Sequence, residues 1–196
     1  MRAADWNARY AADELWPVEP NVYVADIVPG LEPGRALDLA CGEGRNAIWL
    51  AQQGWDVTAV DFADVAVERA RIRAEQAGVD VAFAIADVLE YDPSPASFDL
   101  VLLCFLQLPD HERRRVWARA ATAVAPGGTL LVIGHDTRNV SDGVGGPKDA
   151  SVCYTADDIT AVVGITLQIE EAHEVLRAKD QGIAIDCLVR ATALPA

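Results

Sequence analysis

Apolar residues along the chain fall into two spacings. Short apolar runs ending in Gly, Pro or acidic residues read as strands: Arg35–Asp38, Asp56–Val60, Asp80–Ile85, Phe98–Leu106 and Thr129–Ile133. Between them the apolar positions recur at helical spacing. Ala47, Ile48, Leu50 and Ala51 share one face; Val67, Ala70, Ala74 and Ala77 share a second; Val116, Trp117, Ala120, Ala121 and Val124 share a third. The run from Phe98 to Leu106 does not alternate, which predicts a central parallel strand covered on both faces. Two further strands, around Thr166–Arg177 and Ile183–Thr192, are joined by Lys179-Asp180-Gln181-Gly182, a turn short enough to make them antiparallel neighbours.

Seven strands, five of them in alternation with helices, predict an α/β fold: one Rossmann-like, doubly wound, mostly parallel sheet with a C-terminal antiparallel hairpin. Ahead of it, residues 4–15 carry Trp6, Tyr10 and Leu15 about a helical turn apart, and a second helix runs from Asn21 to Val28 before Pro29-Gly30 stops it. A single domain over 1–196 suits this length, divided into an N-terminal helical segment (1–30), a core (35–134) and a terminal loop, helix and hairpin (135–196).

Composition narrows the class of partner. The net charge of −14 repels nucleic acid and anionic membranes, so a small-molecule partner is expected. Cys41, Cys104, Cys153 and Cys187 are scattered without metal-ligand spacing, so no metal site is expected, and the simplest setting is a reducing cytoplasm. No apolar run reaches the length of a membrane span. Arg113, Arg114 and Arg115 read as a solvated helix face. Nothing in the pattern sets an oligomeric state.

Candidate chemistry centres on Asp38-Leu39-Ala40-Cys41-Gly42-Glu43-Gly44-Arg45-Asn46-Ala47. A strand ends in an acid, small residues turn the chain, and a helix start from about Asn46 offers free N–H groups, which together make a nucleotide-type cradle. Gly42, Gly44 and Ala47 satisfy the dinucleotide pattern Gly-x-Gly-x-x-Ala literally. Asp38 and Glu43 would set two carboxylates against a pyrophosphate, so a cationic ligand suits the loop better. Asp61 follows 17 residues after Gly44, near the spacing of a ribose-binding acid. Either Asp61 or Asp64 can also cap the helix Val65–Ala77.

Asp-x-Ala-Cys-Gly-x-Gly resembles the first motif of class I S-adenosylmethionine-dependent methyltransferases, with Ala40 in place of the first glycine. Trp-x-x-Arg-Tyr ahead of a Pro-Asn helix, followed by Gly-Glu-Gly-Arg-Asn-Ala, resembles the branch of the tellurite-resistance and thiopurine methyltransferases. Pro126-Gly127-Gly128 before an apolar strand resembles a late motif of the same class. The resemblance implies S-adenosylmethionine as cofactor, with Asp38 near its ammonium. The loop positions Ala40, Cys41, Gly42, Gly44 and Asn46 would line it, and Asp61 would hold the ribose with Phe62 against the adenine. Asp87 would accept from the adenine amino group, beside the backbone of Val88, and Cys104 stands at the same carboxyl edge. Tyr10 and Trp16 belong either to a lid over the cofactor or to a stripe packed on the core.

His135, after the fifth strand, is the candidate base, with Asp136 placed to orient it; the alternative is a loop histidine bonded to backbone or water. The long stretch from His135 to Thr155 reads as part of an acceptor pocket, and Thr155-Ala156-Asp157-Asp158 as a capping-box helix start. The acceptors that fit are a thiol, heterocycle, phenol or metalloid oxyanion. An NAD(P)-dependent oxidoreductase and a non-catalytic S-adenosylmethionine-binding protein are the alternative functions.

Overall fold

The computed structural model describes residues 3–12 and 16–195, so Leu15 lies outside the described residues. The chain divides into two compact units, Met1–Asp92 and Pro93–Ala196.

In the first unit, α1 (Ala3–Ala12) and α2 (Val22–Ile27) precede β1 (Arg35–Leu39), α3 (Arg45–Gln52), β2 (Asp56–Asp61), α4 (Asp64–Ala77) and β3 (Ala82–Ile85). The three strands are parallel in the order β3-β2-β1, so their carboxyl ends share one rim. β2 is covered on both faces, with Val57, Ala59 and Val60 buried, because a parallel strand carrying flanking helices has no wet side. Asn21 caps α2 as its position ahead of the helix implies, its side chain accepting the Tyr23 N–H at 2.9 Å.

Asp64 does not cap α4. It is the first helical residue, and the helix start is held from α1, where Asn7 donates its side-chain amide to Asp64 and accepts the Val65 N–H. The stripe of α1 packs there as well: Tyr10 is buried with Ala63 and Ala66, and Trp6, Phe62 and Val65 close around them. Residues 86–97, where strand–helix alternation would place another helix, hold turns instead.

The second unit contains β4 (Phe98–Cys104), α5 (Asp110–Ala123), β5 (Val124–His135), the short α6 (Asn139–Asp142), α7 (Ala156–Val163), β6 (Gln168–Lys179) and β7 (Gly182–Thr192). β4 and β5 are parallel, β5 and β7 antiparallel, and β6 pairs with β7 as the outer strand of the hairpin. Within this unit the strand order is β4-β5-β7-β6, so the chain carries the expected seven strands, mostly parallel, with an antiparallel C-terminal hairpin. Pro126-Gly127-Gly128 lies within the span of β5 as a bulge: the register with β4 jumps from Phe98↔Val124 to Leu100↔Thr129. Thr155 and Asp158 form the expected capping box.

Two local expectations are overturned in this unit. The stretch after His135 is not a plain loop, since it holds α6 and a 3-10 turn at Ala150–Val152. Arg113 is not solvated. Its guanidinium is buried against the rings of Trp117 and Tyr154, donating to the carbonyls of Leu108 and Ser151 and to Asp110. Successive residues on a helix stand about 100° apart, so three in a row spread over some 200° and cannot all occupy one face. Arg115 is exposed, as expected.

Candidate active site

Asp38 stands one residue before the end of β1, buried, with its Oδ2 lacking any hydrogen-bond partner among the described residues. Burial, reinforced by the nearby Asp61, raises its pKa to about 7 against the opposing pull of Arg45 and the Ala47 N–H. An unsatisfied buried carboxylate oxygen is costly unless something donates to it. It is a ready site for a cation.

Asp61 closes β2, and each of its oxygens accepts one N–H: Oδ2 that of Gly42 at 2.8 Å and Oδ1 that of Ala63 at 2.9 Å. It therefore ties the glycine loop to the rim. Burial raises its pKa, and the two N–H donors partly restrain the rise.

The two loop glycines differ in purpose. A Cβ at Gly44 would stand 2.9 Å from the Ala70 methyl and 3.2 Å from Phe83, so this glycine lets α3 seat against α4 and β3. A Cβ at Gly42 would point to the Tyr10 hydroxyl, at 2.8 Å, and toward Trp16. Only Gly42 opens on the side where the N-terminal segment lies. Ala40 holds φ +60°, a conformation that glycine adopts without strain. Cys41 is buried, its N–H bonded to the Val60 carbonyl and its thiol pKa pushed up by burial.

Glu43 does not confront a ligand. It is buried toward α4, with Oε1 3.0 Å from Arg69 and 3.5 Å from Arg73. Asp38 and Asp61, not Glu43, are thus the carboxylates that would repel a pyrophosphate, since the charge of Glu43 is matched by Arg69 and Arg73. Asn46 accepts the Asn21 N–H at 2.9 Å, fastening α2 to α3.

Tyr10 and Trp16 lie beside the loop. The Trp16 Nε1 donates to the Tyr10 hydroxyl at 3.3 Å and Arg45 stands over the Trp16 ring. Phe62 packs on the Tyr10 cluster. Asp87 follows β3 and accepts the Leu89 N–H at 2.9 Å, and Val88 is buried.

In the second unit, Cys104 ends β4, half-buried, and His135 ends β5, buried. Asp136 does not orient the imidazole, because its Oδ1 accepts from Arg138 N–H and the Thr137 hydroxyl. The partner is Asp186 on β7, directly opposite His135 in the β5–β7 register. Its Oδ1 lies 2.9 Å from Nδ1, off the line of the ring N–H, so the contact is mainly electrostatic. Arg177 grips the same carboxylate, Nε to Oδ2 at 2.6 Å and a second nitrogen to Oδ1 at 3.2 Å. The sequence reading missed Asp186 and Arg177. The signal was an aspartate inside the apolar run Ile183–Val189, since a buried charge demands partners.

Among the described residues no cluster of His, Cys, Asp or Glu could hold a metal ion, and no helix is long and apolar enough to cross a membrane.

Comparison with known proteins matches residues 36–128 to a family described as "Methyltransferase domain". The chain is 38% identical over 123 residues to the 27-O-demethylrifamycin SV methyltransferase of Amycolatopsis mediterranei, covering 58% of this chain and 44% of that protein. It is 30% identical over 112 residues to the ribosomal RNA small subunit methyltransferase C of Alcanivorax borkumensis, covering 53% and 33%. It thus spans less than half the length of either relative.

Among solved structures, one reported for the conversion of a disulfide bond into a thioacetal group during echinomycin biosynthesis superposes with a TM-score of 0.78. It is 22% identical, with 98% of this chain and 92% of that one covered. TehB from Haemophilus influenzae gives 0.73 at 18% identity, covering 89% and 62%. Residues 36–128 are thus similar to a methyltransferase domain, and the chain shares its fold with these solved structures.

Proposed function

We propose that the chain transfers a methyl group from S-adenosylmethionine to a small-molecule acceptor. The supporting observation is the buried, half-unsatisfied carboxylate of Asp38 beside a glycine loop whose open side is Gly42. The fit is chemical: an ammonium group donates to Asp38 Oδ2 and supplies the positive charge that Asp38 and Asp61 lack. When bound, S-adenosylmethionine supplies an electrophilic methyl group on a sulfonium.

The residues of the first unit bind and orient. Asp38 takes the ammonium, and Asp61 sets the loop through Gly42 while each of its oxygens keeps a lone pair for a ribose hydroxyl. Asp87, at the same rim, has one carboxylate oxygen bonded to Leu89 N–H and offers the other to an adenine amino group. Tyr10 and Trp16 cover the methionine end as a lid. A net charge of −14 favours a small acceptor over a polyanion such as RNA. The finer placement beside the tellurite-resistance branch is supported by the Trp6-to-Tyr10 segment and the Gly42-to-Ala47 motif.

Isothermal calorimetry with S-adenosylmethionine, S-adenosylhomocysteine and NAD tests this. Binding of the first two, lost in Asp38→Ala and Asp61→Ala, is expected. Saturable NAD binding without S-adenosylmethionine binding overturns it.

A further inference from the structure

We propose that His135 is the proton acceptor of the reaction, held in its Nδ1–H tautomer by Asp186 and Arg177, and that the methyl acceptor is accordingly a hydroxyl-bearing molecule such as a phenol. This rests on the methyl-transfer reading above and names the substrate class within it.

Three features of the second unit converge. First, an unprotonated Nδ1 would set its lone pair 2.9 Å from a carboxylate oxygen, so Nδ1 must carry hydrogen and a neutral imidazole keeps its free lone pair on Nε2. Asp186 is completely buried and gripped at two points by Arg177; Arg177 works on His135 only through Asp186 and is a positioning residue, as Asp186 is.

Second, what lies over the ring beside Nε2 is backbone that carries no side chain. Gly146, at φ +72°, passes the ring so closely that a Cβ there would stand 2.8 Å from Nε2. The loop is set by Asn139, which donates to the Gly145 carbonyl and accepts the Ile185 N–H.

Third, Phe105, the residue after β4, is held at φ +62°, with its ring centre 4.8 Å from that of the imidazole and 4.9 Å from the Arg177 guanidinium carbon. A bulky residue at positive φ is costly, and such strain concentrates at functional sites. β4 and β5 are parallel, so Phe105 and His135 sit on one carboxyl rim, where ligands of open α/β sheets gather.

The proton balance is simple. The acceptor O–H bond breaks as its proton passes to Nε2, the freed oxygen pair forms the new bond to the methyl carbon, and the carbon–sulfur pair stays on sulfur. A thiolate or metalloid oxyanion needs no such base, which is why the assembly points to a hydroxyl.

Two experiments test this. In the 15N-labelled wild-type protein without ligand, NMR is expected to show hydrogen on Nδ1 of His135, and Asp186→Asn to shift that tautomer balance; hydrogen on Nε2 in the wild type overturns the proposal. With catechol and thiophenol as paired acceptors, His135→Gln is expected to lower kcat for catechol about 100-fold or more, leaving KM, thiophenol turnover and calorimetric S-adenosylmethionine affinity near wild type. Asp186→Glu should recover part of what Asp186→Asn loses. Equal losses with both acceptors, or unchanged catechol turnover in His135→Gln, overturn it. Absence of S-adenosylmethionine binding defeats the methyl-transfer reading instead, and the ligand-free NMR measurement still decides the tautomer.

Discussion

The Asp61 carboxylate receives the Gly42 N–H at 2.8 Å, joining the end of β2 to the loop that follows β1. A single side chain thereby sets the shape of the glycine turn and supplies negative charge beneath it. Removing it leaves two buried N–H groups, of Gly42 and Ala63, without acceptors. Asp61→Ala is expected to cost about 1–3 kcal/mol of stability, partly offset because Asp38 loses a repelling neighbour. Urea unfolding measures this. Asp61→Asn, which keeps one acceptor oxygen, should fall between wild type and alanine.

Asp38 gives the stability a pH dependence of definite sign. Its pKa is raised to about 7, so between pH 4 and 7 the folded state holds a proton that the unfolded chain has released. Stability without ligand should therefore be greatest at the acid end of this window and fall as pH rises, by at most about 1.4 kcal/mol per pH unit from this group. Asp61, also raised, acts in the same direction. Chemical denaturation from pH 4.5 to 8 should show a shallower slope in Asp38→Asn. A cationic ligand that selects the ionised form should release protons on binding below pH 7, measurable by calorimetry in buffers of different ionisation enthalpy.

Ala40 occupies a left-handed conformation at φ +60°. Ala40→Gly removes strain of about 1 kcal/mol, which offsets the usual entropic cost of introducing glycine. The exchange should leave the unfolding midpoint unchanged or raised. Ala118→Gly, on the exposed side of α5, should lose about 1 kcal/mol. Equal losses at the two sites would remove the assignment of strain to Ala40.

Arg113 is buried with the carbonyls of Leu108 and Ser151 as acceptors and with Asp110 as ion partner. Arg113→Ala should cost about 2–4 kcal/mol by stranding those groups and opening space beside Trp117 and Tyr154. Arg115→Ala, two residues away and exposed, should change stability by less than about 0.5 kcal/mol. The difference in denaturation midpoints checks both.

What the chain alone determined follows from short-range geometry. A strand has period two and a helix period 3.6, so apolar runs and faces located β1, β2, β4, α4, α5 and the hairpin, while Asp38, Asp61 and Asp87 could be seen to stand at or just past successive strand ends. The capping box at Thr155 and Asp158 is likewise written within four residues. Partners chosen across long separations were not legible. Which acid faces His135 depends on the β5–β7 register, which sets residue 135 against 186 across half a hundred positions. Local proximity favoured Asp136, whose carboxylate turns back to its own loop. The same holds for Glu43, drawn to Arg69 and Arg73 by the docking of α4, and for Arg113, buried where Ser151 meets α5. A charged side chain declares only that it needs a counterpart, and tertiary packing decides which one is within reach.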